Sequence, residues 1–332
     1  MKSVQIVKPF EVCVNDIPMP AVSAGQVLVR LEYVGFCGSD LNTFRGANGM
    51  VTYPRIPGHE IGGVIEAVGE GVPAHLEPGM TVTVNPYTAC GHCASCRRGR
   101  YNACEHNETL GVQRDGAMCG YVALPWEKVL PCPGITTRDA ALIEPMSVGF
   151  HAVNRGRVSE GDVVMVIGCG MVGLGAVAGA VRRGAVVVAA DIDDGKLELA
   201  RGLGAEYVYN TSAPWPYDFD PDVVIEAVGA VPTYRLAVER VAFTGRIVCI
   251  GYAKSDVPLT TSLFVKKELD IMGSRNAEPQ DFEAVTEFVR GHDVSRFISG
   301  IVKPEGARKA LEDWNAAPGK VFRILVEFKP ES

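Results

Sequence analysis

One short loop places Cys90, Cys93, Cys96 and Cys104 in the spacing C-x2-C-x2-C-x7-C, together with Gly91, Gly99, Arg97, Arg98 and Arg100. Four thiolates so spaced match the tetrahedral demand of a structural zinc ion, and the small residues among them let the backbone fold back around it. The competing arrangement is two disulfides. The chain opens MKSVQIVKPF with no apolar signal core, which points to an intracellular protein, and disulfides seldom persist in that setting. The loop 90–104 therefore reads as an excursion closed on its own metal.

The chain around it has 332 residues, 47% hydrophobic and 21% charged, enough for two ordinary globular domains. A formal net charge of -7, with no basic stripe outside the cysteine loop, argues against a nucleic-acid partner. The longest apolar stretches, such as 163–167 and 177–181, are broken well before membrane-spanning length. The expectation is a soluble cytoplasmic protein without a membrane segment.

Up to about residue 150 the sequence shows short β-branched runs between Gly and Pro, at 26–34, 63–68 and 80–85, which read as strands. Beyond it, strands and helices alternate. The pattern predicts strands at 162–167, 186–190 and 223–226 and helices at 171–183 and 196–203, a parallel βαβ series. Past residue 272 a helix at 281–290 puts Phe282, Val285 and Val289 on one face, and a closing strand follows at 321–328. The tail is expected to rejoin the first domain.

The turn after the first strand of the middle region reads Gly168-Cys169-Gly170-Met171-Val172-Gly173, or G-x-G-x-x-G. Such a match alone is weak. Between a strand and a helix it allows a tight turn, close approach of a pyrophosphate, and a helix N-terminus facing the phosphates. Asp191 ends the next strand, where a carboxylate accepts from ribose hydroxyls and repels a 2′-phosphate, favouring NAD over NADP; Asp193 is near enough to share the role. The bland alternative is an ordinary strand-to-helix turn.

Further chemistry is scattered through the first domain: Cys37 in Gly35-Phe36-Cys37-Gly38-Ser39-Asp40, the pair His59-Glu60, and Glu144 before Pro145. Each alone fits a core, turn or helix-start position. Together they supply a thiolate, an imidazole and two carboxylates, the mixed donors of a catalytic zinc with an open position.

With these motifs and the cysteine loop together, the chain resembles the zinc-containing medium-chain dehydrogenase/reductase superfamily over nearly its whole length. The carboxylates accompanying Cys37 and His59 resemble its polyol branch, and the stretch Met272-Gly273-Ser274-Arg275-Asn276-Ala277 is similar to L-galactonate 5-dehydrogenase-type enzymes. The resemblance implies an α/β protein: a GroES-like, mostly β catalytic domain from 1–148 and 273–332, and a Rossmann doubly wound parallel-sheet domain at 149–272. It implies one catalytic and one structural zinc per chain, NAD as cofactor, and a homodimer or homotetramer, for which the sheet edge around 257–264 is the candidate contact. Cys37, His59, Glu60 and Glu144 would serve the catalytic metal and Ser39 the proton relay. Asn42 stands where many relatives have a histidine, and an amide cannot pass a proton as an imidazole does. The cofactor positions implied are Gly168, Gly170, Met171, Val172, Gly173, Asp191, Lys196, Ala227, Val228, Gly251 and Arg275.

The implied reaction is oxidation of a secondary hydroxyl of a small polar substrate, a sugar acid or polyol of the L-galactonate, L-idonate or sorbitol kind, with hydride transfer to NAD. Arg45, Arg114 and Arg275 are candidate partners for an acid group. The alternatives are the same chemistry on a simple alcohol, a threonine-like amino alcohol or an inosamine, and a non-catalytic NAD-binding redox sensor. His151 reads as a satisfied core or interface histidine, and Cys13, Cys119, Cys132, Cys169 and Cys249 as small buried hydrophobes.

Overall fold

The computed structural model describes residues 1–328. It divides into two compact units, one formed by Met1–Glu144 with the chain from Phe282 onward, the other by Pro145–Asp281.

Strand Gln26–Phe36 organises the first unit. Its run of Val, Leu and aromatic residues suits a pleated buried surface, and Val27, Val29, Leu31, Val34 and Phe36 are fully buried. One edge pairs antiparallel with Glu60–Val68; the other pairs with Tyr121–Pro125 along its first half and with Arg323–Glu327 along its last. Thr81–Val84 and Val129–Pro131 extend the sheet beyond Glu60–Val68, and Ile298–Val302 lies parallel outside Arg323–Glu327. The returning tail thus completes the first unit's sheet. Its register sets Glu60 opposite Gly35 and Ile324 opposite Phe36.

The second unit is a six-stranded parallel sheet. Its spatial order is Tyr207–Asn210, Val186–Asp191, Val163–Ile167, Val223–Glu226, Arg246–Cys249, Asp270–Gly273. In chain order that is third, second, first, fourth, fifth, sixth, the dinucleotide-binding order whose ligand crevice opens where the order reverses, beside Val163–Ile167. Met165, Ile167, Val188, Ala190, Val224 and Ile247 fill its core. Helix Met171–Arg182 lies close to the preceding helix because Gly149 and Gly175 lack side chains. A Cβ there would come within 2.2 Å of the Val172 carbonyl and 2.5 Å of the Met146 carbonyl respectively.

The two compact units divide after Glu144 and after Asp281, inside helices Ile143–Arg155 and Pro279–Gly291, beside the expected 148 and 272. Helical periodicity runs on unbroken through such a crossing, so composition cannot mark it. The stretch 257–264 is no sheet edge: it is coil leading into helix Ser262–Lys267, and the outermost strand is Asp270–Gly273. Cys119, Cys132 and Cys169 are buried, but Cys13 and Cys249 are only partly so. No helix among the described residues is long and apolar enough to cross a membrane.

Candidate active site and metal centres

Cys37 caps the short helix Gly38–Phe44. Its sulfur accepts from the Ser39 N–H at 3.2 Å and lies 2.7 Å from the Ser39 hydroxyl. Asp40, fully buried, fixes the cap from below: one carboxylate oxygen accepts the Cys37 N–H at 2.9 Å and the other the Gly58 N–H at 3.4 Å. That single side chain joins the cysteine turn to the segment bearing His59. Gly58 is required there, with φ 96° and space for a Cβ already taken by Val34 and Met118.

The ligand atoms of Cys37, His59 and Glu60 lie within 4.8 Å of one another; His59 and Glu60 are buried and Cys37 partly so. Gly35 makes room for the glutamate, since a Cβ on it would fall 2.2 Å from Glu60 Oε2. Arg323 Nε stands 3.0 Å from that oxygen while Arg323 Nη1 donates to the Phe36 carbonyl at 2.6 Å. The ion pair lacks the alignment of a hydrogen bond, so both Glu60 Oε2 and Arg323 Nε are buried without one. Glu144 accepts the Tyr87 hydroxyl.

Burial lifts the Glu60 carboxyl to about 7; Arg323 opposes the rise and Glu144 adds to it. Burial likewise raises Glu144, against the pull of His59. Burial and the Asp40 charge raise the Cys37 thiol, with His59 opposing. For His59 burial favours the neutral ring, but the charge and hydrogen bond of Cys37, and the charge of Glu144, hold its pKa well above the ordinary imidazole value. Several anionic groups around one imidazole, with His59 Nδ1 buried and unbonded, make a donor set that a divalent cation would complete. One thiolate, one imidazole and a carboxylate suit zinc.

In the cysteine lobe none of the four cysteines forms a disulfide, and Cys93, Cys96 and Cys104 are buried while Cys90 is partly exposed. The Cys90 and His106 N–H groups donate to Cys104 Sγ, each at 3.3 Å, and the Cys93 N–H to Cys90 Sγ at 3.4 Å. Cys93 and Cys104 sulfurs are 3.9 Å apart. The Ser95 hydroxyl and the Cys96 and Glu105 N–H groups bring the Cys93 thiol down to about 5, whereas burial and its sulfur neighbours push Cys96 up to about 11. Neighbouring thiols resist ionising together unless a cation sits among them. The four fit a closed zinc site.

At the nucleotide end, Gly168 has φ 94°, and a Cβ there would strike Val228; one on Gly173 would lie 1.7 Å from the Gly168 carbonyl. Gly170 faces open space, with nothing within 4 Å of a Cβ position, as close approach of a pyrophosphate requires. Asp191 ties the turn to the next strand, accepting from Cys169 N at 2.7 Å, Ile192 N at 2.8 Å and Asp193 N at 3.0 Å. Its Oδ2 takes one of those bonds, leaving acceptor capacity for a ribose hydroxyl. The turn, Asp191, Ala227-Val228, Gly251 and Arg275 all follow the C-terminal ends of their strands, the edge on which such sheets bind ligands. Lys196 lies in the first turns of helix Asp194–Gly202, and its charge reaches the Cys169 thiol.

The family model for the alcohol dehydrogenase GroES-like domain matches residues 23–134, and that for zinc-binding dehydrogenase matches 171–291. An uncharacterized zinc-type alcohol dehydrogenase-like protein of Haemophilus influenzae is 33% identical, with 99% of each chain covered. The chain belongs to the zinc-dependent medium-chain dehydrogenase/reductase family. L-galactonate-5-dehydrogenase of Escherichia coli is 36% identical over 82% of this dehydrogenase and 81% of its own length. Among solved structures, E. coli galactitol-1-phosphate dehydrogenase superposes with TM-score 0.90 at 31% identity, covering 98% of this chain and 100% of that one. E. coli RspB, complexed with NADH, gives TM-score 0.90 at 30% identity, covering 98% and 99%. The dehydrogenase is thus a zinc- and NAD-dependent enzyme acting on alcohols of the polyol branch.

Three side chains beside the Cys37–His59–Glu60 cluster lie outside the sequence expectations: Asp40, which stands there only within a motif, Tyr87, and Arg323, which falls within the closing strand. Arg323 carried a readable signal, a charge inside an apolar strand that proves buried on four successive residues. Two of the candidate arginines separate: Arg45 donates to Asn315 at 2.6 Å, while Arg114 Nε is buried without a hydrogen bond and burial lowers its pKa. His151 is a satisfied core histidine, its Nδ1 2.8 Å from Asp281.

Proposed function

We propose that this dehydrogenase oxidises a secondary hydroxyl of a sugar acid or polyol to the ketone, passing hydride to NAD, with an L-galactonate-, L-idonate- or sorbitol-like substrate. The observation that carries the site assignment is the Cys37–His59–Glu60 cluster, its ligand atoms gathered within 4.8 Å, with an unbonded, buried His59 Nδ1. Relatives named L-galactonate-5-dehydrogenase, sorbitol dehydrogenase and galactitol 1-phosphate 5-dehydrogenase support the substrate class.

Bound zinc supplies Lewis acidity that makes an alcohol easier to deprotonate, and NAD supplies the hydride acceptor. Cys37, His59 and Glu60 would hold the metal, with Glu60 also paired to Arg323. Glu144, occupied by Tyr87, acts on His59 through its charge. Ser39, whose hydroxyl adjoins the Cys37 sulfur, takes up the substrate proton; Asn42 cannot carry it further, so solvent must. Arg114, with its buried unpaired Nε, is the favoured partner for a substrate carboxylate. Gly168, Gly170, Met171, Val172 and Gly173 would hold the pyrophosphate of NAD and Asp191 its ribose, with Lys196, Ala227, Val228, Gly251 and Arg275 as further cofactor positions.

NADH formation by zinc-replete protein across aldonic acids, polyols, inositols and simple alcohols tests the proposal. A high kcat/KM with one aldonic acid or polyol, and NAD preferred to NADP, is expected. A clear preference for simple alcohols would overturn it. Asp191→Ala should weaken NAD and narrow the gap to NADP.

A further inference from the structure

The cysteine lobe carries two histidines that the four-sulfur site does not use. His92 and His106 are both exposed, their rings stacked with centroids 6.0 Å apart and planes 30° from parallel. One ring nitrogen of each lies within 4.8 Å of the other and of the Cys90 sulfur. Cys90 is the one cysteine of the four that is not buried.

We propose that His92, His106 and the Cys90 sulfur form a further site for a borderline transition-metal ion such as zinc or cobalt, beside the four-cysteine site and sharing Cys90 as a bridging thiolate. Four observations converge on it. Two imidazoles and a thiolate are a ligand set these ions favour. Nδ1 of His92 lies 2.9 Å from the Cys90 carbonyl; donating there, it leaves the lone pair on Nε2 and orients the ring, as the outer hydrogen bonds of metal-binding histidines do. The His106 N–H is anchored on Cys104 Sγ and the His92 carbonyl on Arg97 Nη1 at 2.6 Å, so both histidine backbones are fixed by the lobe itself. Finally, a zinc ion within four thiolates leaves two net negative charges, which attract a second cation. Arg97, Arg98 and Arg100 on the same lobe oppose that attraction, so the ion should bind more weakly than its neighbour. With histidine ligands exposed to water it should also exchange readily.

Metal counting on the whole holoenzyme tests this. Protein equilibrated against rising free zinc should first hold its tightly bound complement and then take up one further equivalent. The double variant His92→Ala/His106→Ala should keep the tight complement and lose the further one, with unchanged melting temperature. Cobalt added to the zinc-loaded protein should give thiolate-to-cobalt absorption in the wild type and none in the variant. Failure of the wild type to take up the extra ion, or its retention by the double variant, overturns the proposal; uptake without thiolate-to-cobalt absorption overturns the bridging role of Cys90. The reading is independent of the dehydrogenase activity, since it counts an increment that the histidine pair alone should remove.

Discussion

The cysteine lobe draws all four sulfurs from one loop, residues 90–104, and backbone N–H groups of Cys90, Cys93 and His106 point at them. The Cys37–His59–Glu60 cluster is assembled across the first unit instead, from a helix cap, the start of strand Glu60–Val68, Glu144 at a helix start and Arg323 on the returning tail. The first is uniform in chemistry and close to the surface; the second mixes thiol, imidazole, carboxylate and guanidinium in a buried space. A local site can be stable by itself and has no need of opposing charges. A site that must hold a metal yet leave room for a reacting alcohol depends on distant groups to keep its charges in check.

That contrast can be broken experimentally. The largest effect should come from Cys37→Ala, which is expected to lower kcat by about a thousandfold or more as the metal is lost, with the circular dichroism spectrum unchanged; normal turnover would remove Cys37 from the metal. Cys93→Ser should do the reverse, costing on the order of several kcal/mol of stability through the lost lobe metal and opening 90–104 to proteolysis. Equal proteolytic resistance in wild type and variant would refute the lobe's structural role. Arg323→Ala strands the buried Glu60 carboxylate and should cost about 3–5 kcal/mol in denaturant unfolding. Adding Glu60→Gln to that background should recover part of the loss; no recovery would mean that the two side chains are not coupled.

The smallest effect is a pH slope. In metal-stripped protein the folded-state pKa of Glu60 is raised from 4.5 to about 7, so the unfolded chain gives up this proton first. The stabilisation is complete below about 4.5 and disappears as pH rises through about 7. Glu60→Gln should flatten that slope in urea midpoints, and an unaltered slope would assign the titration elsewhere.

Much of this was legible in the residues. The glycine turn, the alternation of strands and helices beyond residue 150 and the cysteine spacing are local patterns. Each rests on period, spacing or positive φ, properties that the chain carries along its length. The donors Cys37, His59, Glu60 and Glu144 are legible as a mixed zinc donor set by residue type, and the resemblance of their motifs gathers them into one site. Tyr87 and Asp40 are not legible because nothing local distinguishes a tyrosine after a proline or an aspartate in a turn from their ordinary surface counterparts; Arg323 shows as a charge in an apolar strand, but its partner Glu60 is set only by strand pairing.

By itself, then, the sequence determined the four-sulfur lobe and the nucleotide turn, because their geometry is set within a few bonds of the residues concerned. Only the tertiary structure decided that Glu60 faces Arg323 over Gly35, that Asp40 binds the cysteine turn to Gly58, and that Glu144 turns to Tyr87. Those contacts join residues apart in the chain: moving strand Glu60–Val68 or Arg323–Glu327 by one residue would turn Glu60 or Arg323 to the other face, and the packing of the first unit brings Asp40 to Gly58 and Glu144 to Tyr87.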